Sequence, residues 1–244
     1  MPEAAVRDAP NRPFDPRIIC ALDVPTTDEA RALVEKIGDA VGFYKVGLQL
    51  FASDGMSLAR ELKASGAQVF LDWKLHDIGA TVEKATAVLA EAGCDLLTVH
   101  ARPQVMAAAA RAAEGSDLKV LGVTVLTSLS EDDLKADDHS LSAAELVEHR
   151  VRQAIEAGIH GVVSSPHEAA VVKKIATEAG KADFLIVTPG VRPTGAALDD
   201  QTRVATPASA LQAGATHLVI GRPITAVADP RAAAQAISAE IALV

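Results

Sequence analysis

At 244 residues the chain is long for a minimal domain but within the range of one (β/α) barrel or one doubly wound sheet, so one domain is the default. Hydrophobic residues make up 49% and aromatics only 3%, so the core must come from Ala, Val, Leu and Ile, which suits parallel strands covered by Ala-rich helices. A formal net charge of -9 argues against a nucleic-acid binder that neutralises phosphates generally, yet one or two pocket arginines can still hold a small anion.

Residues 1–16, "MPEAAVRDAPNRPFDP", carry acids and prolines where a signal peptide would be basic and then apolar, and they read as a flexible lead-in to a domain over 17–244. No apolar run approaches the ~20 residues of a membrane span, so a cytoplasmic protein without membrane or nucleic-acid partners is expected. Short Val/Ile/Leu-rich runs then alternate with amphipathic, Ala-rich segments. In chain order the strand candidates are "RIICALDV", "GFYKVGL", "QVFLDWKL", "DLLTVHA", "KVLGVTVLT", "GVVSS", "FLIVTPGV" and "HLVIGR". Eight strands in this beat predict a single-domain α/β (β/α)8 TIM barrel over an open sheet, which more often has five to seven. Thr26 or Thr27 can cap the first helix, and Gly93 can end the one after strand three. "SLSEDDLKADDHSLSAAE" breaks the beat and reads as a surface loop with a short helix. Cys20 and Cys94 sit in apolar contexts without metal-ligand spacing and read as buried reduced thiols.

Barrel sites gather at the C-terminal ends of the strands, and the period-two alternation of strand side chains places polar residues there. Ile19, Ala21 and Asp23 share one face; so do Phe43, Lys45 and Gly47, and Phe70, Asp72 and Lys74. If these faces point inward, Asp23, Lys45, Asp72 and Lys74 converge on the mouth while Leu22, Val46, Leu71 and Trp73 face the helices. Burying charge costs several kcal/mol unless the charges are paired or used, so four at strand ends on consistent faces point to a site. Asp77 lies past the strand end, where alternation no longer fixes its direction; it can stay near Lys74 or reach across a subunit interface. "TPGVRPTG" puts Pro189, Gly190 and Arg192 at the end of strand seven, and "VIGRPIT" puts Gly221 and Arg222 at the end of strand eight. Barrels often hold phosphate there, with backbone N–H groups and arginine as donors.

With "ALDVP", "FYKVGLQLF", "FLDWKLHDI", "TPGVR" and "VIGRPI" in this order, the chain resembles the orotidine 5'-phosphate decarboxylase family from about Ile18 to Ile224. The D-x-K-x-x-D-I core is specific for the wider superfamily, and "PGVR" with its Gln-containing loop narrows it. The resemblance implies a homodimer of barrels converting orotidine 5'-phosphate to UMP and carbon dioxide in pyrimidine nucleotide biosynthesis, with no cofactor and no metal. Carried over, Asp23 and Lys45 hold the ribose hydroxyls, Asp72 lies beside the substrate carboxylate, and Lys74 delivers the proton. Asp77, Ile78 and Thr81 come from the partner subunit. Thr127 reads the pyrimidine edge, Pro189 lines the base pocket, and Arg192, Gln201, Gly221 and Arg222 grip the phosphate under a closing loop, "RPTGAALDDQTR". One departure is Gly79, where many bacterial relatives have proline.

Three other readings stay open at this level. A metal-dependent sugar-phosphate barrel of the same superfamily needs a further acidic ligand near the early strand ends, where "ALDVP" offers only Asp23. A Schiff-base aldolase needs a neutral Lys74 or Lys45, against which adjacent carboxylates work. A non-catalytic phosphate-ligand barrel is the third. His76 can pack or face solvent, and His100 can approach the mouth; the other histidines show no metal-ligand arrangement.

Overall fold

The computed structural model describes residues 14–126, 129–193, 205–242 and 244. In chain order the elements are β1 (Ile18–Ala21), α1 (Thr27–Ile37), β2 (Phe43–Gly47), α2 (Leu48–Phe51), α3 (Gly55–Ala64), β3 (Gln68–Leu75), α4 (Gly79–Glu91), β4 (Leu96–His100), α5 (Pro103–Ala113) and β5 (Lys119–Val123). There follow α6 (Glu131–Ala136), α7 (Ala143–Glu156), β6 (Gly161–Val163), α8 (Ala169–Glu178), β7 (Leu185–Pro189), α9 (Pro207–Ala213), β8 (His217–Ile220), α10 (Arg222–Thr225) and α11 (Pro230–Ile241). Strands β1 to β8 pair in sequence order, all parallel, and β8 closes onto β1. The chain is therefore the predicted (β/α)8 barrel.

Alternation along each strand divides two kinds of core. Ile19, Ala21, Phe43, Phe70, Leu121 and Val187 fill the barrel interior. Leu22, Val46, Leu71 and Trp73 point the other way, into the layer between strands and helices. The scarcity of aromatics is met by small residues: Ala108 and Ala109 of α5 are fully buried in the core outside the barrel.

The helix boundaries follow local chemistry. Thr26 accepts the Glu29 N–H at the start of α1, while Ser130 and Ser142 make reciprocal capping boxes with Asp133 and Glu145 on α6 and α7. The segment that broke the strand–helix beat thus contains one short helix, α6, ahead of α7, as expected. Helix α4 ends at Glu91, and Gly93 takes φ +73 just beyond it.

Most of the expected lead-in, residues 1–13, lies outside the described residues. Of its last positions, the Asp15 carboxylate accepts from the Arg17 Nε at 3.0 Å, and Arg17 also donates to the Ile241 carbonyl at 3.0 Å, tying the entry to β1 to the end of α11. Cys20 and Cys94 are buried free thiols, and burial pushes them up to about 12 and about 11 respectively. Among the described residues no helix is long and apolar enough to cross a membrane.

At the end of the barrel opposite the site, His217 starts β8, its Nδ1 3.0 Å from the Thr216 hydroxyl and its ring edge-on to Phe43. Burial lowers its pKa to about 4 despite the nearby Asp15 carboxylate. The unfolded chain protonates this histidine near the ordinary value of about 6.5, so between there and about 4 it binds more protons than the native state, and stability falls as pH falls. His217 is expected to contribute up to about 3 kcal/mol of that loss. Urea denaturation at steps from pH 7 to 4 checks it: His217→Gln should flatten the slope, and an unchanged slope would assign the acid loss to other groups.

Candidate active site

The C-terminal end of the barrel opens on a cavity of about 350 Å³. Its lining includes Ala21, Phe70, Val163 and Val219 together with the charged Asp23, Lys45, Asp72 and Lys74. The first group continues the apolar barrel interior, and the second is the next layer of inward positions, as the alternation required.

The four charges form one chain of alternating sign. Lys45 Nζ donates to Asp23 Oδ1 at 2.8 Å and stands 3.5 Å from Asp72 Oδ2, while Lys74 Nζ donates to Asp72 Oδ1 at 2.8 Å. The array runs from solvent inward, because Asp23 is largely exposed whereas the Lys45 side chain is 9% exposed and that of Asp72 17%. Burial alone would raise the Asp72 pKa, but the Lys45 and Lys74 ammoniums, with hydrogen bonds from Lys74 and Thr98, hold it below the usual carboxylate range. It is a fixed anion between two cations.

Two further residues shape this array, and reading charges alone missed both. Thr98 is 0% exposed; its hydroxyl donates to Asp72 Oδ1 at 3.0 Å and accepts the Lys74 N–H at 3.0 Å. It lies two residues beyond the inward-facing Leu96, so the same alternation that found Asp72 points to it. Gly47 is the second. A Cβ there would meet Lys45 Nζ at 3.0 Å and Asp23 Oδ1 at 3.2 Å, so the bare backbone makes room for the ion pair.

Asp77, Ile78 and Thr81 lie apart from this cavity. The Asp77 carboxylate accepts the Ile78 N–H at 2.7 Å on an exposed turn, Ile78 is 71% exposed, and Thr81 is exposed in the first turn of α4. Within one chain Asp77 therefore does not join the array. His100 does not line the cavity either. Its ring lies 4.9 Å from that of His76, and burial together with His76, Lys74, Arg150 and Arg102 lowers its pKa.

Pro189 ends β7, with Gly190, Val191 and Arg192 after it, and Gly221, Arg222 and Pro223 follow β8, all lining the same cavity. Gly190 takes φ +79, a backbone that disfavours side chains, where the chain turns off β7. Arg192 is only 6% exposed, and its N–H donates to the Ala205 carbonyl across the bridge between Val191 and Ala205. Arg222 is exposed at the rim and opens α10. Val123, Val125 and Leu126 form an apolar lip at the end of β5. Thr127, Gln201 and most of the expected closing loop lie outside the described residues.

These features define a single-domain (β/α)8 barrel with a charged cavity at the C-terminal ends of its strands. The chain belongs to the orotidine 5'-phosphate decarboxylase / HUMPS family, whose model matches residues 16–237. It is 64% identical over 228 residues to a Caulobacter vibrioides protein named orotidine 5'-phosphate decarboxylase, spanning 93% of this chain and 98% of that one. A Cereibacter sphaeroides protein of the same name is 53% identical over 231 residues, covering 93% and 97%. The crystal structure of orotidine 5'-phosphate decarboxylase from Lactobacillus acidophilus superimposes with a TM-score of 0.80 at 36% identity, covering 93% of this chain and 99% of that one.

Gly47→Ala tests the spacing. The atoms it crowds are the ends of flexible side chains, so stability is expected to change by less than about 1 kcal/mol. The Asp23–Lys45 pair should nonetheless part in a crystal structure of the variant. An intact pair with the added Cβ in place would remove the close-approach argument.

Proposed function

We propose that this chain converts orotidine 5'-phosphate to UMP and carbon dioxide. The observation that carries the reading is the Asp23–Lys45–Asp72–Lys74 chain of alternating charge at the mouth of this family's barrel. The names of the relatives that match over almost the whole chain support it.

Breaking the bond between C6 and the carboxylate leaves an electron pair in the plane of the pyrimidine ring, where the ring's π system cannot spread it. Stabilisation has to come from the surroundings. The Lys74 ammonium favours charge concentrated at C6 over charge already delocalised on the carboxylate, and this difference lowers the barrier. The same ammonium gives its proton to C6 as carbon dioxide departs, and Lys74 regains one from solvent. Asp72 holds Lys74 in place through the 2.8 Å contact with its Nζ, and it stands beside the substrate carboxylate.

Asp23 and Lys45 hold the ribose hydroxyls and Pro189 faces the base. Arg192, Gly221 and Arg222 hold the phosphate, joined by Gln201, while Thr127 reads the pyrimidine edge. The phosphate is remote from the breaking bond, so its binding energy acts by ordering the site. Asp77, Ile78 and Thr81 serve the site of a second copy, which their exposure supports: an apolar Ile78, 71% exposed in one chain, gives a partner subunit something to cover. The buried free thiols suit the cytoplasm, where disulfides are rare.

Conversion is followed by the fall in ultraviolet absorbance on adding orotidine 5'-phosphate. The wild type should turn over with or without chelator, and Lys74→Ala should lose on the order of 10⁴-fold or more in kcat. No turnover of orotidine 5'-phosphate by the folded wild type, with turnover of a keto-sugar phosphate once Mg²⁺ is supplied, would favour a metal-dependent sugar-phosphate barrel instead. For the phosphate, Arg222→Ala should cost on the order of 10²-fold in kcat/KM with the nucleotide. Its effect on the phosphate-free nucleoside should stay within about threefold; equal losses on both would remove Arg222 from the phosphate site.

A further inference from the structure

Strand β3 does not run regularly past its middle. Leu71 pairs with Leu97 of β4, and the next paired residue, Leu75, meets Val99. Three residues of β3, Asp72 to Lys74, therefore stand opposite the single residue Thr98. Such a bulge leaves ladder donors without their usual partners and re-aims the side chains it contains.

Lys74 carries the distortion in its backbone, with φ +51. Among the described residues the other non-glycine positions with positive φ are Asp54 and Asp138, short polar side chains that tolerate this region; a lysine there must be held by its surroundings. What holds it is visible. The Lys74 N–H, displaced from the ladder, donates to Thr98 Oγ1 at 3.0 Å, and the Thr98 hydroxyl proton goes to Asp72 Oδ1, also at 3.0 Å. The Leu71 carbonyl, 3.5 Å away, is the poorer acceptor. One buried hydroxyl thus ties the backbone of the lysine to the carboxylate that its own Nζ contacts at 2.8 Å.

We propose that Thr98 is a positioning residue: it locks the β3 bulge so that Lys74 Nζ and Asp72 Oδ1 are held in fixed register toward the reacting carbon. This rests on the decarboxylase reading for its chemistry, although its geometry stands without it. A hydroxyl is required because it must accept from one group and donate to the other at the same time. Valine has the shape and can do neither.

The test compares Thr98→Val, Thr98→Ser and wild type. Thr98→Val should lower kcat by about 10²-fold with KM within about threefold, and move the acid limb of the kcat profile upward, since Asp72 loses a donor. Thr98→Ser, which keeps the hydroxyl, should return to within about fivefold of wild type. A Val variant within threefold of wild type, or equal losses in Val and Ser, would overturn the proposal. If Thr98→Val does not fold, Thr98→Ala against Thr98→Ser makes the same comparison between two small side chains that differ in the hydroxyl. A crystal structure of the hydroxyl-free variant separates this from the functional reading. Lys74 should leave positive φ and its Nζ should draw beyond about 3.5 Å from Asp72. Unchanged geometry sinks the positioning role whatever the turnover, whereas a wild type without turnover sinks only the decarboxylase reading.

Discussion

The carboxylate of Asp72, set between the ammoniums of Lys45 and Lys74 at the inner edge of the barrel mouth, is the interaction on which the site depends. An isolated carboxylate so little exposed would take up a proton or pull water into the core. Two cations and a threonine hydroxyl prevent both, and the same contacts give each lysine a fixed position. Remove the anion and two ammoniums lose the carboxylate between them; remove either lysine and a mostly buried anion loses one of its two cations. The four charges are therefore a unit, and effects of changing them singly will not add.

The barrel separates this unit from the rest of the ligand's needs. Strands β1 to β3 carry the alternating charges, and the ends of β7 and β8 carry the two arginines. Because the barrel closes β8 onto β1, these groups line one cavity; a Cβ on Gly221 would come within 4 Å of Ala21 and Asp23 across the seam. A ligand spanning the mouth can present an anion to one side and a reacting centre to the other. In the proposed reaction this lets binding energy at a remote phosphate be used where a carbon–carbon bond breaks.

Precision at the reacting side comes from departures from regular geometry. Ideal strands would deliver side chains at fixed spacing and nothing finer. The β3 bulge and the bare backbone of Gly47 adjust that spacing: the first turns Lys74 onto Asp72, and the second leaves space for Lys45 to reach Asp23. Each departure is compensated locally, by the hydroxyl of Thr98 in the first case and by the absence of a side chain in the second.

Much of this was legible in the residues themselves. The eight-strand beat, the inward face of Asp23, Lys45, Asp72 and Lys74, the outward face of Leu22, Val46, Leu71 and Trp73, and the capping at Thr26 follow from local rules: period-two alternation, helical periodicity and cap chemistry act between near neighbours in the chain. The habit of barrels to hold phosphate after strands seven and eight pointed to Arg192, which is buried, and Arg222, at the rim. The local rules did not single out Thr98, because its importance lies in what stands beside it across two strands. Nor did they foresee positive φ at Lys74, since "DWKL" reads as continuous strand. Asp77 shows the limit most plainly: past the strand end no periodicity aims it, and in one chain it caps its own turn instead of reaching Lys74. Sequence by itself determined the barrel and which charges would line its mouth, because those depend on local pattern. Which oxygen each ammonium meets, and which neutral side chain locks it, was decided only by the register between β3 and β4, a relation between segments some twenty-five residues apart that exists only once the sheet has closed.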